Sequence, residues 1–216
     1  CSLVSTLHQA SSGLFDPSVQ PLWMAYARSQ GAPEKKHLAA ARASTGWSKV
    51  EVSLDRIRLV AGAALTFNGI AQGFITDRVV SLLKARGLET GLISVGEIAT
   101  VGASPTGNGW AIGLADHEDD PADATIYLRD KAVATSSPNG TVFGTGPAGH
   151  ILNPATGMAA AANWRRVSVI HRSAAVADGL STAAVLQSAT EIREMARLFP
   201  DAAVRAIDQD GALLAV

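Results

Sequence analysis

The sequence predicts an α+β fold: one domain, residues 1–216, in which a mainly antiparallel sheet packs against helices. A chain of 216 residues is long enough for one domain with a sizeable core. Hydrophobic residues make up 47% of the chain and charged residues 17%, as in globular proteins and unlike disordered ones. In the second half of the chain, consecutive β-rich segments outnumber the intervening helices, which favours antiparallel pairing over a doubly wound sheet.

Composition excludes several classes of function. Lys and Arg number 18 against 19 Asp and Glu, so no surplus of positive charge is available for binding a nucleic acid backbone. No stretch approaches the roughly 20 apolar residues of a membrane-spanning helix, so we expect no transmembrane segment. The single cysteine, Cys1, excludes an intrachain disulfide and a zinc site built from cysteines.

The first part of the chain shows helical patterns that turn residues separate. Residues 3–12 are predicted to be helical, Gly13 to form a turn, and residues 14–17 to be extended. Pro33 is expected in the first turn of a second helix, which ends near Gly46.

A hairpin and a long helix are predicted next, followed by strands. Residues 49–60 alternate in polarity and predict a half-buried hairpin around Asp55 and Arg56. The long helix runs from about Asn68 to Arg86, with Gly87 as its C-terminal cap. The remaining elements are strands at 91–95, 109–114, 124–129, 131–135 and 165–171, helices at about 174–188 and 190–198, and terminal strands near 202–207 and 212–216.

Well-known catalytic and nucleotide-binding motifs are absent from the sequence. Gly144–Gly149 matches the spacing G-x-G-x-x-G, but Pro147 interrupts it and an extended segment follows where the dinucleotide fingerprint requires a helix. We interpret this segment as a turn. The nucleophile elbow of α/β-hydrolases, the zinc-binding helix of zincins and the P-loop do not occur.

Three other segments carry residues suited to chemistry, and each also has a structural explanation. The start of the long helix at Asn68 and Gly69 could bind phosphate through its free amides; alternatively, its small residues serve the packing of helix on sheet and Asn68 is an N-cap. Asp178 and Thr182 lie four residues apart, so on a helix they share a face and offer oxygen ligands to Mg²⁺; alternatively, Asp178 is exposed near a helix N-terminus. His150 is either a general base or a structural histidine.

Taken jointly and in order, six segments resemble motifs of the FAD:protein FMN transferase (ApbE-like) family. Each motif is short, but their common order along nearly the whole chain makes the resemblance specific. They are Ser12–Val19 (G-G-x-F-D-P-T-V in the family), Phe67–Val79 (L-G-G-I-A-K-G-Y-x-x-D-x-V), Val95–Ile98 (G-G-D-I), Ala134–Ser136 (A-T-S), His150–Gly157 (H-I-x-D-P-x-T-G) and Ala177–Ala183 (A-D-A-L-S-T-A).

The resemblance implies an α+β fold of the ApbE (T-fold-like) type, a reaction and a set of site residues. The reaction is the Mg²⁺-dependent transfer of FMN from FAD to a Thr or Ser hydroxyl of an acceptor protein, with release of AMP. The implied metal ligands are Asp178, Thr182 and the backbone carbonyl of Gly69. For the general base we favour His150, with Asp77 as the alternative. The implied FAD-binding residues are Leu14, Phe15, Asp16, Thr66, Asn68, Gln72, His150 and Ile151.

The sequence departs from the family pattern at several of these positions. Gln72 replaces the lysine of the helix motif, Thr66 and Asn153 replace aspartates, and Val95 and Glu97 replace Gly and Asp of G-G-D-I. We interpret the motifs N-G-I-A-Q-G and V-G-E-I as those of a branch of the family. We also expect the chain to lack an N-terminal portion that family members use against the flavin.

Two alternative functions stay open, as does the cellular context. The chain could hydrolyse FAD to FMN and AMP as a pyrophosphatase, or it could bind FAD as a non-catalytic accessory protein. By resemblance, we expect a bacterial periplasmic protein whose acceptor is a flavoprotein subunit of a membrane electron-transfer complex. Lipidation at Cys1 or a signal peptide outside this sequence would bring it there, and we favour the interpretation that the sequence starts within the domain.

Overall fold

The structure, a computed structural model, describes residues 1–116, 119–161 and 163–216. The first part contains the helices α1 (Ser2–Ala10), α2 (Gln20–Arg28), α3 (Lys35–Ser44) and α4 (Asn68–Ala85), with 3₁₀ turns at Pro17–Val19 and Trp47–Lys49 and the short strands β1 (Glu51–Val52) and β2 (Ile57–Arg58). The second part contains β3 (Gly91–Val95), β4 (Glu97–Val101), β5 (Trp110–Leu114), β6 (Ala124–Leu128), β7 (Ala132–Ser136), β8 (Trp164–His171), α5 (Ala174–Ala184), α6 (Ala189–Arg197), β9 (Ala203–Asp208) and β10 (Leu213–Ala215).

The main sheet has six strands in the order β10-β9-β8-β7-β4-β3, and all its neighbouring strands are antiparallel. The expected α+β class with antiparallel pairing is therefore confirmed. Within the described residues, β5 pairs with β6 and β1 with β2 in two separate hairpins.

Both faces of the sheet are covered, so the central strands β7 and β8 are buried on either side. Since side chains alternate along a strand, Ala134 and Val169 face α5 whereas Val133 and Ile170 face the β5–β6 hairpin. Five of the eleven residues of helix α5 are alanine, and Ala177 and Ala184 are fully buried in the core that this helix shares with β7, β8 and α1. These small side chains let α5 lie close to the sheet and to α4.

Two helix ends follow the local sequence signals. Gly87 has a φ of +93° after the end of α4, and the amides of Gly87 and Leu88 donate to the carbonyls of Lys84 and Leu83. This is a Schellman cap, so the predicted glycine cap is confirmed. Pro33, in contrast, precedes α3, which begins at Lys35.

One helix and one strand were not predicted, and one prediction about burial was wrong. Helix α2 was not predicted, although Pro21 occupies its first turn, and neither was β4, which pairs with β3 around Gly96. The β1–β2 hairpin exists, but its strand residues are exposed on both sides and Leu54 at its tip is fully exposed, so it is not half-buried. No helix in the described parts of the chain is long and apolar enough to span a membrane.

Candidate active site

A cavity of about 390 Å³ opens at the end of the sheet where β7 ends and β4 begins. It gathers residues from distant parts of the chain, including every residue that the resemblance implied for FAD or metal binding. Those implied residues are Leu14, Phe15, Asp16, Thr66, Asn68, Gly69, Gln72, His150, Ile151, Asp178 and Thr182. The cavity is further lined by Pro17, Val19, Trp23, Glu97, Asp116, Thr135, Ser136, Ser137, Gly140, Thr141, Leu152 and Leu186.

Helices α4 and α5 cross at two glycines one turn apart. A Cβ on Gly69 would lie 3.0 Å from Thr182 Oγ1, and a Cβ on Gly73 would overlap the backbone of Ala174 and Ala175. Glycine at both positions therefore lets the two helices touch, and the start of α4 lies directly against Thr182. The N-cap of α4 is Phe67, so Asn68 is not the N-cap; the Asn68 amide donates to Thr66 Oγ1 at 3.3 Å.

Asp178 lies in this crossing and is buried, with only 5% of its surface exposed. The alternative of an exposed Asp178 is therefore wrong. Its Oδ2 accepts a hydrogen bond from the Gly73 amide at 3.0 Å. Burial raises the pKa of Asp178 to about 6, although the Gly73 amide lowers it. A carboxylate in this position would be stabilised by a cation.

The Gly69 backbone departs from helical geometry in the first turn of α4, with φ of −83° and ψ of 16°. In a regular helix the Gly73 amide would donate to the Gly69 carbonyl, but here that amide donates to Asp178. Both features favour a Gly69 carbonyl that is available to another partner, on the same side of the cavity as Asp178 and Thr182.

Asp77, the alternative general base, lies outside the cavity lining and holds the two helices together. Its carboxylate accepts hydrogen bonds from Ser173 Oγ at 2.6 Å, from the Ala174 amide at 2.7 Å and from the Ala175 amide at 3.1 Å. A carboxylate is favourable at the N-terminus of a helix, where the amides are unpaired. These contacts give Asp77 a structural role at the N-terminus of α5, and its position outside the cavity lining favours His150 over Asp77 as the base.

The segment Leu14–Asp16 forms one wall of the cavity and is fixed by its backbone. Ser11 Oγ accepts a hydrogen bond from the Phe15 amide at 2.8 Å, and the Phe15 carbonyl lies 3.0 Å from His8 Nδ1. Asp16 caps the following 3₁₀ turn through Ser18 and also accepts from the Trp47 amide at 2.9 Å. Both Asp16 oxygens are therefore engaged within the protein.

His150 follows a tight turn and has one ring nitrogen committed. The Phe143 amide donates to the Ala148 carbonyl at 2.9 Å, which confirms that Gly144–Gly149 is a turn. His150 Nδ1 lies 3.0 Å from the Thr141 carbonyl; because a carbonyl only accepts, Nδ1 carries the proton and Nε2 has a free lone pair. Burial lowers the pKa of His150, which keeps the ring neutral and able to accept a proton.

Glu97 and Asp116 add two more carboxyl groups to the cavity lining, and no described Lys or Arg side chain belongs to that lining. Burial, and then the charge of Asp178, raise the pKa of Glu97 to about 8. Asp116 is paired behind the wall, with its oxygens 2.7 Å from Arg165 Nε and 3.2 Å from Arg166 Nη1. The cavity thus has an excess of acidic groups, and a cation would relieve it.

Sequence reasoning assigned no site role to several cavity residues. Glu97 and Ser136 belong to segments that were matched to family motifs, so the motifs themselves were the available signal. Trp23 lies on the unpredicted α2, and Asp116 has no local pattern that marks it. Among the described residues no cluster of three His, Cys, Asp or Glu side chains could hold a metal ion, but the implied ligands comprise only one carboxylate, beside a hydroxyl and a carbonyl.

Comparison with known sequences gives a consistent result. A model of the ApbE family matches residues 2–206. The FAD:protein FMN transferase of Chlamydia muridarum is 27% identical over 199 residues, covering 83% of this chain and 59% of that protein. The FAD:protein FMN transferase of Treponema pallidum is 30% identical over 169 residues, covering 68% of this chain and 46% of that protein. This chain therefore spans little more than half the length of the first of these relatives.

Solved structures give the same result for the fold. The apo crystal structure of the Pseudomonas stutzeri flavinyl transferase ApbE is similar with a TM-score of 0.83 and 28% identity, covering 100% of this chain and 70% of that chain. The ApbE protein of Thermotoga maritima is similar with a TM-score of 0.85 and 27% identity, covering 99% of this chain and 73% of that chain. The arrangement of sheet and helices described above is thus shared with these proteins.

Proposed function

The chain belongs to the ApbE family, and on this premise we propose that it transfers FMN from FAD to a Thr or Ser hydroxyl of an acceptor protein, releasing AMP. The observation that carries the proposal is the cavity at the crossing of α4 and α5, where residues from six matched motifs meet around Asp178. The curated relatives named above carry the same activity in their names.

The charge of the cavity supports a role for Mg²⁺. A pyrophosphate is anionic, and the described cavity lining offers it the carboxyl group of Asp178 but no Lys or Arg. Asp116 is already paired with Arg165 and Arg166, and the raised pKa of Glu97 favours its neutral form. Gln72 provides an amide where the family motif has a lysine. A cation from solution would therefore favour the binding of a dinucleotide in this cavity.

The donor atoms at the crossing fit Mg²⁺. Asp178, Thr182 and the Gly69 carbonyl all present oxygen, which hard divalent cations prefer. These three groups would hold the ion and would bring its positive charge to the cavity, where an anionic substrate could use it. When bound there, Mg²⁺ would neutralise charge that develops on the pyrophosphate during its cleavage.

The reaction requires no nucleophile from the chain, because the acceptor hydroxyl attacks. Its oxygen forms a bond to the phosphorus of the FMN half of FAD, and the bond from that phosphorus to the bridging oxygen breaks, so AMP leaves with the bridging oxygen. His150 Nε2 takes the proton of the attacking hydroxyl, since Nδ1 is held by the Thr141 carbonyl. The buried side chains of Phe15, Ile151 and Leu152 provide apolar wall for the ring systems of FAD.

Intact-mass spectrometry of an acceptor flavoprotein domain tests the proposal, with FAD and Mg²⁺ present and AMP measured by chromatography in the same samples. We expect a mass gain of one FMN phosphoester together with AMP, and no gain for Asp178→Ala. The exposed carboxylate variant Asp130→Ala is the matched control and is expected to retain activity.

Other outcomes of this experiment would replace the proposal. AMP and free FMN without a gain in acceptor mass would make the chain an FAD pyrophosphatase. Retention of FAD with no AMP formed would make it an accessory protein that binds FAD.

We also propose where the protein acts and what it modifies. By family resemblance, it works in a bacterial periplasm, on a flavoprotein subunit of a membrane electron-transfer complex. Fractionation of cells that express the full-length protein tests this, and recovery of the protein only from the cytoplasm would contradict it.

A further inference from the structure

Three hydroxyl groups meet where the end of β7 touches α5, behind the proposed metal site. Ser136 Oγ lies 2.8 Å from Ser181 Oγ and 3.5 Å from Thr182 Oγ1. Ser181 is fully buried, whereas Ser136 and Thr182 are partly exposed and line the cavity. The three groups form a chain that runs from the cavity into the core.

The direction of the protons along this chain follows from its buried end. Ser181 Oγ lies 3.0 Å from the Asp178 carbonyl, which can only accept, so Ser181 donates its one proton there. Ser136 must then donate its own proton to Ser181. Only the lone pairs of Ser136 are left for Thr182, so the Thr182 hydroxyl donates, over a long contact, toward Ser136.

This direction decides what Thr182 presents to the cavity. A hydroxyl binds a cation through its lone pairs, and a proton pointing at the cation would repel it. With its proton directed at Ser136, Thr182 Oγ1 presents its lone pairs toward the cavity. Thr182 also packs closely against the backbone of α4, since a Cβ on Gly69 would lie only 2.9 Å from Thr182 Cγ2.

We propose that Ser136 and Ser181 are positioning residues that orient the Thr182 hydroxyl for binding a divalent cation. The inference rests on the metal site of the proposed function and deepens it. Partners behind a metal ligand generally fix its orientation, and their loss lowers metal affinity 10- to 100-fold. Because the contact to Thr182 is long, we expect the lower end of this range.

A second hydroxyl pair provides a matched control. Thr135 Oγ1 and Ser168 Oγ lie 2.9 Å apart on the neighbouring strands β7 and β8, and Ser168 is fully buried. Neither residue contacts Thr182 through a hydrogen bond in the described structure. Loss of the Ser168 hydroxyl thus changes the polarity of the same region without touching the chain of hydroxyls that leads to Thr182.

The test is titration of the metal-free protein with Mn²⁺, followed by the electron paramagnetic resonance signal of the free ion, with Mg²⁺ as the competitor. We expect Ser136→Ala to weaken Mn²⁺ binding about 10-fold. Ser136→Thr, which keeps the hydroxyl, is expected to bind within about 2-fold of the wild type, as is Ser168→Ala. Thermal unfolding of each variant verifies that it is folded.

The outcomes separate this inference from the proposed function. Equal Mn²⁺ affinity of the wild type and Ser136→Ala would overturn the positioning role and leave the metal site intact. Equal weakening by Ser136→Ala and Ser168→Ala would also overturn it, since the effect would then reflect packing. A wild type that binds no Mn²⁺ would overturn the metal site itself, and the positioning role with it.

Discussion

Replacement of Asp178 by Asn is expected to stabilise the metal-free protein at high pH. Asp178 is buried, and its pKa rises from 3.8 to about 6. Because the folded state holds its proton more tightly than the unfolded state, stability is greatest below about pH 4 and falls as the pH rises toward 8. This pKa change corresponds to about 3 kcal/mol above pH 6. Asn carries no charge and can still accept from the Gly73 amide.

Urea unfolding in EDTA, followed by circular dichroism at several pH values, measures this effect. The free energy of unfolding of Asp178→Asn minus that of the wild type should rise from less than about 1 kcal/mol at pH 4 to about 3 kcal/mol at pH 8. The difference between the proteins is the useful quantity, because burial lowers the pKa values of His150 and His171 and both residues stabilise either protein as the pH rises. The exposed variant Asp210→Asn is the control.

Magnesium should reverse the order of the two proteins. At a concentration of about 1,000 times its Kd, a ligand adds about 4.1 kcal/mol to the stability of the wild type, which exceeds the difference of about 3 kcal/mol, whereas Asp178→Asn should gain almost nothing. Two results would show that burial of this carboxylate is not costly without a cation. The stability difference would not grow with pH, or Asp178→Asn would be less stable than the wild type at pH 8 in EDTA.

Three further perturbations test the helix crossing and the base. Gly73→Ala places a Cβ against the backbone of Ala174 and should lower the free energy of unfolding in urea by about 3 kcal/mol. An unchanged unfolding midpoint would show that α4 and α5 can move apart freely. Asp77→Ala removes three hydrogen bonds from the N-terminus of α5 and should cost about 2 kcal/mol; full stability with lost transfer would restore Asp77 as a candidate base. His150→Gln should retain FAD binding and lower transfer about 10²- to 10⁴-fold, and normal transfer by this variant would exclude His150 as the base. Because burial lowers the pKa of His150, wild-type transfer should persist through the ordinary histidine range and decline only at more acidic pH, where His150 is protonated.

Local signals in the sequence were sufficient for much of the fold. Gly87 marks the end of α4, and the spacing of Asp178 and Thr182 correctly placed both side chains on one helix face beside the cavity. Strand β4 was missed because it follows β3 after the single residue Gly96, whose φ of +100° permits so tight a turn. Helix α2 was missed although Leu22 and Tyr26, four residues apart, are both buried on one face of it.

The tertiary contacts of the site could not be predicted from local sequence patterns. Asp77 and Ser173 are 96 residues apart, so no pattern near Asp77 indicates that it caps α5. Asp116 reaches the cavity wall only because Arg165 and Arg166 of β8 hold it there. Such contacts depend on how α4, α5 and the sheet pack together. The ordered motifs indicated the fold but not these individual contacts.

Calorimetric titration of the protein with FAD, in Mg²⁺ and in EDTA, measures whether the acidic cavity binds FAD through a divalent cation. We expect measurable binding in Mg²⁺ and binding at least about tenfold weaker in EDTA, a difference of about 1.4 kcal/mol. Equal affinity in both buffers would contradict this expectation, because the carboxylates of the cavity would then have no need of a cation to accept the pyrophosphate.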